Sequence, residues 1–168
     1  MKRLTPNRSL IAASPLRLIA LAVVASGMVF ALAACGQVER RAEVVIESDD
    51  QMNFDKDEFT VRAGQTVRLT LKHVGEMSLE QMGHNVAILD PGEDPVAFGQ
   101  EVQREGGNRE NEWLPESMRD RVVAFTRMLG GGETDTIEFT APEEPGRYPF
   151  LCTFPGHFGM MNGYMIVR

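Results

Sequence analysis

A chain of 168 residues with a formal net charge of −7 has room for one domain and a leader. Residues 1–34 hold four of the 17 basic residues and none of the 24 acidic ones, so the remainder carries 13 basic against 24 acidic side chains, a formal −11. That excess of negative charge argues against nucleic acid as a partner, and a domain of this size buries roughly two thirds of its unfolded surface without needing disulfide staples.

The chain opens on a basic stretch with Lys2, Arg3, Arg8 and Arg17, and Leu18 to Ala34 is then apolar apart from Ser26 and Gly27. A basic region, an apolar run and small residues before a cleavage point read as an export signal. A permanent membrane span is the rival reading, but the run is at the short edge of what crosses a bilayer. Leu32-Ala33-Ala34-Cys35 resembles the lipobox of bacterial lipoproteins. The resemblance implies cleavage before Cys35 and acylation of that cysteine, and either reading leaves an exported, tethered domain. Several acyl chains would hold it firmly, each buried CH₂ adding ~0.8 kcal/mol. The expected organisation is a signal peptide over 1–34, a polar tether over 35–42 and one domain over 43–168.

Val44-Val45-Ile46 predicts a first strand, followed by a turn at Ser48-Asp49-Asp50. Met52, Phe54, Phe59 and Val61 alternate in part and predict a second. Ala63-Gly64-Gln65 reads as a turn. Thr66 to Leu71 places Val67, Leu69 and Leu71 on one face, a half-buried strand, and His84 to Leu89 predicts another. Residues Asp90 to Arg121 are rich in Gly, Pro and charge and too long for a hairpin connection, so they predict a flap with a short helix of its own. Val122 to Leu129, Thr134 to Phe139, Arg147 to Cys152 and Tyr164 to Val167 complete the strands, with turns at Gly130-Gly131-Gly132 and Ala141 to Gly146. Many short strands with turn signals and one helical insert predict an all-β, antiparallel sandwich of Greek-key type.

The chemistry concentrates near the C-terminus. Cys152-Thr153-Phe154-Pro155-Gly156-His157, with Met161 four residues on, brings a thiol, an imidazole and a thioether together. Two His, one Cys and a weak axial Met make the blue-copper electron-transfer arrangement. The stretch lacks a second histidine, and the chain has three in all: His73, His84 and His157. His84 precedes a strand, at a loop mouth where a ligand can face one end of a sandwich. If Cys35 is acylated, Cys152 has no disulfide partner, and a metal would occupy and protect an otherwise flagged thiol. Pro155-Gly156 reverses the chain toward the sulfur. One helical turn would set His157 and Met161 on the same face.

Met82-Gly83-His84-Asn85, together with the Cys152 to His157 stretch and Met161, resembles the azurins, members of the cupredoxin or type 1 blue copper family. Asp50-Gln51-Met52 with Phe54, Lys72-His73-Val74-Gly75, Arg121 to Phe125 with Thr126, and Gly130 to Glu133 agree, so the resemblance runs from about Val44 to Arg168. It implies a cupredoxin-like β-sandwich of about eight strands holding one copper. The implied equatorial ligands are His84, Cys152 and His157, with Met161 as the weak axial ligand and the Gly83 carbonyl as a long contact opposite. Met160 is the rival axial residue, one position too early. Asn85 is implied to tie the ligand loops together, with Phe154 beside it. His73 matches a non-ligand histidine near the site, read either as a redox-coupled tuner or as a histidine satisfied inside the sandwich. Three departures stand out. No cysteines match the azurin disulfide near the start of the domain, the flap carries more charge and its own Trp113, and the N-terminus is tethered.

The resulting expectation is a single-electron carrier of the cell envelope rather than an enzyme. Electrons would pass at the His157 edge to redox proteins such as c-type cytochromes or membrane oxidoreductases, with no small-molecule substrate. Met82, Phe154, Pro155, Gly156, Phe158 and Met160 are the expected apolar docking patch, suited to brief encounters. A copper-delivery lipoprotein is the alternative. A nitrite reductase or oxidase would need a second copper centre, for which too few histidines remain.

Overall fold

The computed structural model describes residues 41–168. The leader, Cys35 and the tether up to residue 40 lie outside the described residues. Ala42, expected to end the tether, already belongs to the first strand.

Among the described residues, eight strands form two sheets. The three-stranded sheet has the order β1 (Ala42–Ser48), β3 (Thr66–His73), β6 (Thr134–Thr140). The five-stranded sheet runs β2 (Glu58–Val61), β8 (Asn162–Val167), β7 (Gly146–Leu151), β4 (Ala87–Leu89), β5 (Val122–Phe125). Alternation decides what faces inward. Val44, Ile46 and Ser48 of β1 are buried, and so are Val67, Leu69, Leu71 and His73 of β3. The apolar ones among them meet Ile88, Tyr148, Phe150, Met165 and Val167 of the opposite sheet in one core.

The sandwich is not purely antiparallel. β1 pairs with β3 in parallel, and β2 pairs with β8 in parallel. The second strand is shorter than expected, with Phe54 forming only an isolated bridge to Ser48. The strand expected over His84 to Leu89 begins at Ala87, and the one expected over Val122 to Leu129 ends at Phe125. An isolated bridge between His84 and Leu129 continues their pairing beyond a break. A short helix, α1 (Leu79–Met82), precedes His84 and was not expected.

The flap contains the predicted helix, α2 (Pro95–Arg104). Pro95 sits in its first turn, and the Asp94 carboxylate caps it by accepting from Ala97 N at 2.8 Å. Phe98 and Val102 of α2, with Leu114 and Met118, cover Ala87, Leu89 and Leu151 in a second core. Strand β4 and the C-terminal end of β7 are therefore apolar on both faces: one lines the sandwich and the other lies under the flap. Arg121 ties the flap down, donating to Glu93 at 2.7 and 3.0 Å and to Glu101 at 2.8 Å while its guanidinium lies 5.0 Å from the Phe98 ring. Phe158, expected on the docking patch, is only 8% exposed because it belongs to this second core.

Candidate metal centre

Two segments build the centre at one end of the sandwich. The first is Gly83-His84-Asn85, between α1 and β4. Backbone bonds from His84 N to Leu129 O (3.0 Å) and from Leu129 N to His84 O (2.8 Å) fix it to the segment after β5. The second runs from Cys152, just past β7, through a turn at His157–Gly159 to β8. Gly156 turns the chain with φ 83°, a left-handed conformation that suits glycine, and no atom lies within 4 Å of where a Cβ would stand. Cys152 N donates to Met161 O at 2.9 Å, and Met161 N donates to His157 O at 2.8 Å. One turn of chain therefore carries Cys152, His157 and Met161 to the same place, with Met161 fully buried and Met160 63% exposed.

The three donor atoms face one another. Cys152 Sγ lies 3.9 Å from His84 Nδ1 and 3.8 Å from His157 Nδ1, and the two Nδ1 atoms are 3.2 Å apart. The circle through these atoms has a radius of roughly 2.1 Å, close to metal–imidazole and metal–thiolate bond lengths. Gly83 O lies 3.7 Å from the sulfur. The tautomer of His84 follows from its neighbour. Its Nε2 is 2.8 Å from the Asp49 carbonyl, which can only accept, so Nε2 carries the proton and the Nδ1 lone pair faces the site. A soft thiolate and two imidazole nitrogens at this spacing fit copper.

Water is excluded. Cys152 and His84 have no exposed surface, and His157 keeps 4% of its own. Burial pushes the Cys152 thiol up to about 12, against the pull of the Asn85 and Phe154 amides, which point at the sulfur. Burial likewise holds His84 and His157 at about 4, with the neighbouring His73 adding to the effect on both. Both imidazoles are thus neutral at pH 7, the form a metal requires.

Asn85 and Phe154 both support the sulfur through their amides, and Asn85 also joins the two segments through its side chain, bonding Thr153. The Phe154 ring lies between His157 (4.7 Å between centroids) and Trp113 (5.4 Å). A Cβ on Gly83 would meet that ring at 2.8 Å, so the absence of a side chain there lets Phe154 lie across the histidine segment. His73 is buried with its ring 4.4 Å from that of His84, and its Nε2 lies 3.2 Å from Asp50 Oδ1. Pro155, Gly156 and Met160 are exposed around the His157 turn, and Met82 and Phe154 are half-buried. Thr153 and the Asp49 carbonyl were not anticipated. Thr153 lay within the motif, whereas a backbone carbonyl 35 residues from His84 has no signature of its own.

The comparisons agree with this geometry. A family model described as copper binding proteins of the plastocyanin/azurin family matches residues 41–168. Azurin of Pseudomonas fluorescens biotype C is 32% identical over 130 residues, spanning 75% of this chain and 98% of that protein. Outer membrane protein H.8 of Neisseria gonorrhoeae is 36% identical over 121 residues, 70% of this chain and 63% of that protein. Among solved structures, dithionite-reduced auracyanin from Roseiflexus castenholzii aligns with a TM-score of 0.64 and 39% identity, covering 76% of this chain and 97% of that one. Auracyanin A, a blue copper protein of Chloroflexus aurantiacus, aligns with a TM-score of 0.66 and 30% identity, covering 76% and 99%. With its buried Cys–His–His triangle set at one end of a cupredoxin sandwich, the chain belongs to the plastocyanin/azurin family of copper-binding proteins.

Proposed function

We propose that this chain is a single-electron carrier of the cell envelope and not an enzyme. The observation that carries the reading is the closed, buried triangle of His84, Cys152 and His157, which leaves no room for a substrate between the ligands. Two open clefts on the described residues, one beside Arg147 and Tyr164 and one beside Asp49 and Phe54, are not lined by any of the three. Bound copper would be held by His84, Cys152 and His157, with Met161 and the Gly83 carbonyl as weaker contacts, and would supply a Cu(II)/Cu(I) couple.

The protein's part is to keep that geometry unchanged between oxidation states. Two sheet-anchored segments fix the donors, the Asp49 carbonyl fixes the His84 ring, and the Asn85 and Phe154 amides hold the sulfur. Little has to move when one electron arrives or leaves. The route to a partner is the His157 edge, bordered by Phe154, Pro155, Gly156, Met82 and Met160. Such a small apolar patch suits short-lived complexes with c-type cytochromes or membrane oxidoreductases, and the acidic remainder of the chain favours a basic partner. Acylation of Cys35 would keep the carrier at a membrane, a reading supported by the leader and by a relative named as an outer membrane protein. Complete burial of the thiol weighs against copper delivery, which needs ligands that a recipient can reach.

The test is anaerobic redox titration of the copper-loaded domain, followed by reduction kinetics against c-type cytochromes. We expect intense blue absorbance, reversible one-electron behaviour and copper that exchanges slowly with a chelator. Colour that survives Cys152→Ala would overturn the ligand assignment, and rapid copper transfer to an acceptor would overturn the carrier. Labelling with a fatty acid that disappears in Cys35→Ser would establish the anchor.

A further inference from the structure

Glu112 and Trp113 are consecutive, neither is glycine, and both adopt left-handed backbone, with φ 57° and 52°. Bulky residues rarely occupy this region, and such outliers persist where the surroundings over-determine them. The surroundings here are specific. Trp113 N donates to Asn108 O at 2.8 Å and Leu114 N to Asn111 O at 3.0 Å, so the kink is locked on both sides. Leu114, the next residue, is buried in the second core.

The two side chains then reach different partners, one in the cysteine segment and one in the segment after β5 that holds the histidine segment. The Glu112 carboxylate accepts from Met128 N at 2.9 Å. Met128 adjoins Leu129, whose backbone makes the paired hydrogen bonds to His84. The Trp113 ring packs against Phe154 at a tilt of 39°, and the Phe154 ring reaches His157 while its amide points at the Cys152 sulfur. The flap thus touches the cysteine segment directly through Trp113 and reaches the histidine segment at one remove, through Glu112 and the Met128–Leu129 backbone that pairs with His84.

We propose that Glu112–Trp113 is a positioning clamp through which the flap holds the two copper-ligand segments together and sets the reduction potential of the centre. The proposal rests on the electron-carrier reading above and goes beyond it by placing control of the potential outside the ligand loops. Trp113 acts through Phe154 and Glu112 through Met128, and neither touches the donor atoms. The direction of the effect follows from charge. Loosening Phe154 weakens its amide bond to the sulfur and admits water beside His157. Both changes favour the oxidised, more highly charged state of the centre, so losing the clamp lowers the potential.

The test compares wild type with Trp113→Ala, Trp113→Phe and Glu112→Ala in the copper-loaded protein, by redox titration and by the visible spectrum. Hydrogen exchange of residues 152–157 in the metal-free forms provides a readout independent of copper. We expect Trp113→Ala to lower the potential, shift the sulfur-to-copper absorbance and speed exchange in 152–157 severalfold, with Trp113→Phe restoring most of each. Glu112→Ala leaves the indole in place, covers the case in which Trp113→Ala folds poorly, and should also shift the absorbance and speed exchange, while its loss of a negative charge opposes any fall in potential. Unchanged potential, spectrum and exchange in folded Trp113→Ala, or in Glu112→Ala if the former does not fold, would overturn the clamp while leaving the carrier intact. A wild-type protein without intense colour would instead overturn the carrier reading itself.

Discussion

Asn85 and Thr153 exchange a reciprocal pair of hydrogen bonds across the gap between the two ligand segments. Asn85 Nδ2 donates to Thr153 Oγ1 at 2.9 Å, and Thr153 N donates to Asn85 Oδ1 at 2.8 Å. Both residues are fully buried, so neither can exchange these partners for water. Asn85→Ala leaves the Thr153 amide and hydroxyl unpaired in the interior and should cost about 3 kcal/mol, read by urea unfolding of the metal-free protein. Thr153→Val keeps the amide and should cost less, about 1–2 kcal/mol. The Asn85 backbone amide still points at the sulfur in either variant, so the colour should survive while copper affinity falls ~10–100-fold. Two variants within half a kcal/mol of wild type would show that the link carries no structural weight.

Copper uptake should release about one proton per chain at pH 7.5. Burial pushes the Cys152 thiol up to about 12, so it is protonated in the metal-free protein, whereas the two imidazoles, held at about 4, have no proton to give. Titration calorimetry in buffers of different ionisation enthalpy counts the proton directly. Cys152→Ala should release none. A count near zero in wild type would mean that the Asn85 and Phe154 amides already hold a thiolate.

The metal-free protein should lose stability on mild acidification. His84 and His157 titrate at about 4 when folded, against an ordinary value of 6.5. The unfolded chain therefore binds more protons between these limits, and stability falls as pH drops through the window, then levels off below about pH 4. The decline should be on the order of 2–3 kcal/mol per imidazole. Urea midpoints measured from pH 8 to pH 4 follow it, and His157→Gln should remove about half. Because a bound metal competes with protons for both rings, copper should move the whole decline to lower pH. A flat profile in the metal-free protein would show that both rings are solvated.

What could be read in advance depended on how each feature is encoded. Alternation in Val44–Ile46 and Val67–Leu71 marks which face is buried, and those strands lie where the pattern predicts. Alternation carries no information about strand partners, so the parallel pairings of β1 with β3 and β2 with β8 were invisible. Residues Val86 to Leu89 are all buried because the flap covers the outer face, which erases the period of two and hides where β4 begins. Cys152, His157 and Met161 were legible because one short turn carries them all. The side-chain link through Asn85 was legible too, but the backbone support was not, because the Asp49 carbonyl and the Asn85 and Phe154 amides are main-chain groups with no side-chain signature. Phe158 was misplaced for a related reason: whether an aromatic beside an exposed Pro-Gly turn faces solvent depends on a helix some sixty residues earlier, whose contact residue is a glycine.

The same contact constrains which residue α2 can carry at position 99. A Cβ on Gly99, in the middle of α2, would lie 2.3 Å from Phe158 Cγ. Helix propensity alone would make Gly99→Ala stabilising by about 1 kcal/mol. The ring cannot simply yield, because Phe158 is packed among Leu89, Leu114 and Leu151 and sits in the turn that begins with His157. Overpacking of this kind costs about 1–3 kcal/mol, so the net effect should be destabilising or close to neutral, never the gain that the helix alone would predict. Because Phe158 adjoins His157, the visible spectrum of the copper-loaded variant should shift as well. Phe158→Ala in the same chain removes the two nearest of the clashing atoms, Cγ and Cδ1, giving a double variant more stable than the sum of the single changes predicts. If Gly99→Ala alone raises the urea midpoint, the close approach of α2 to the ligand turn is not a constraint on the fold.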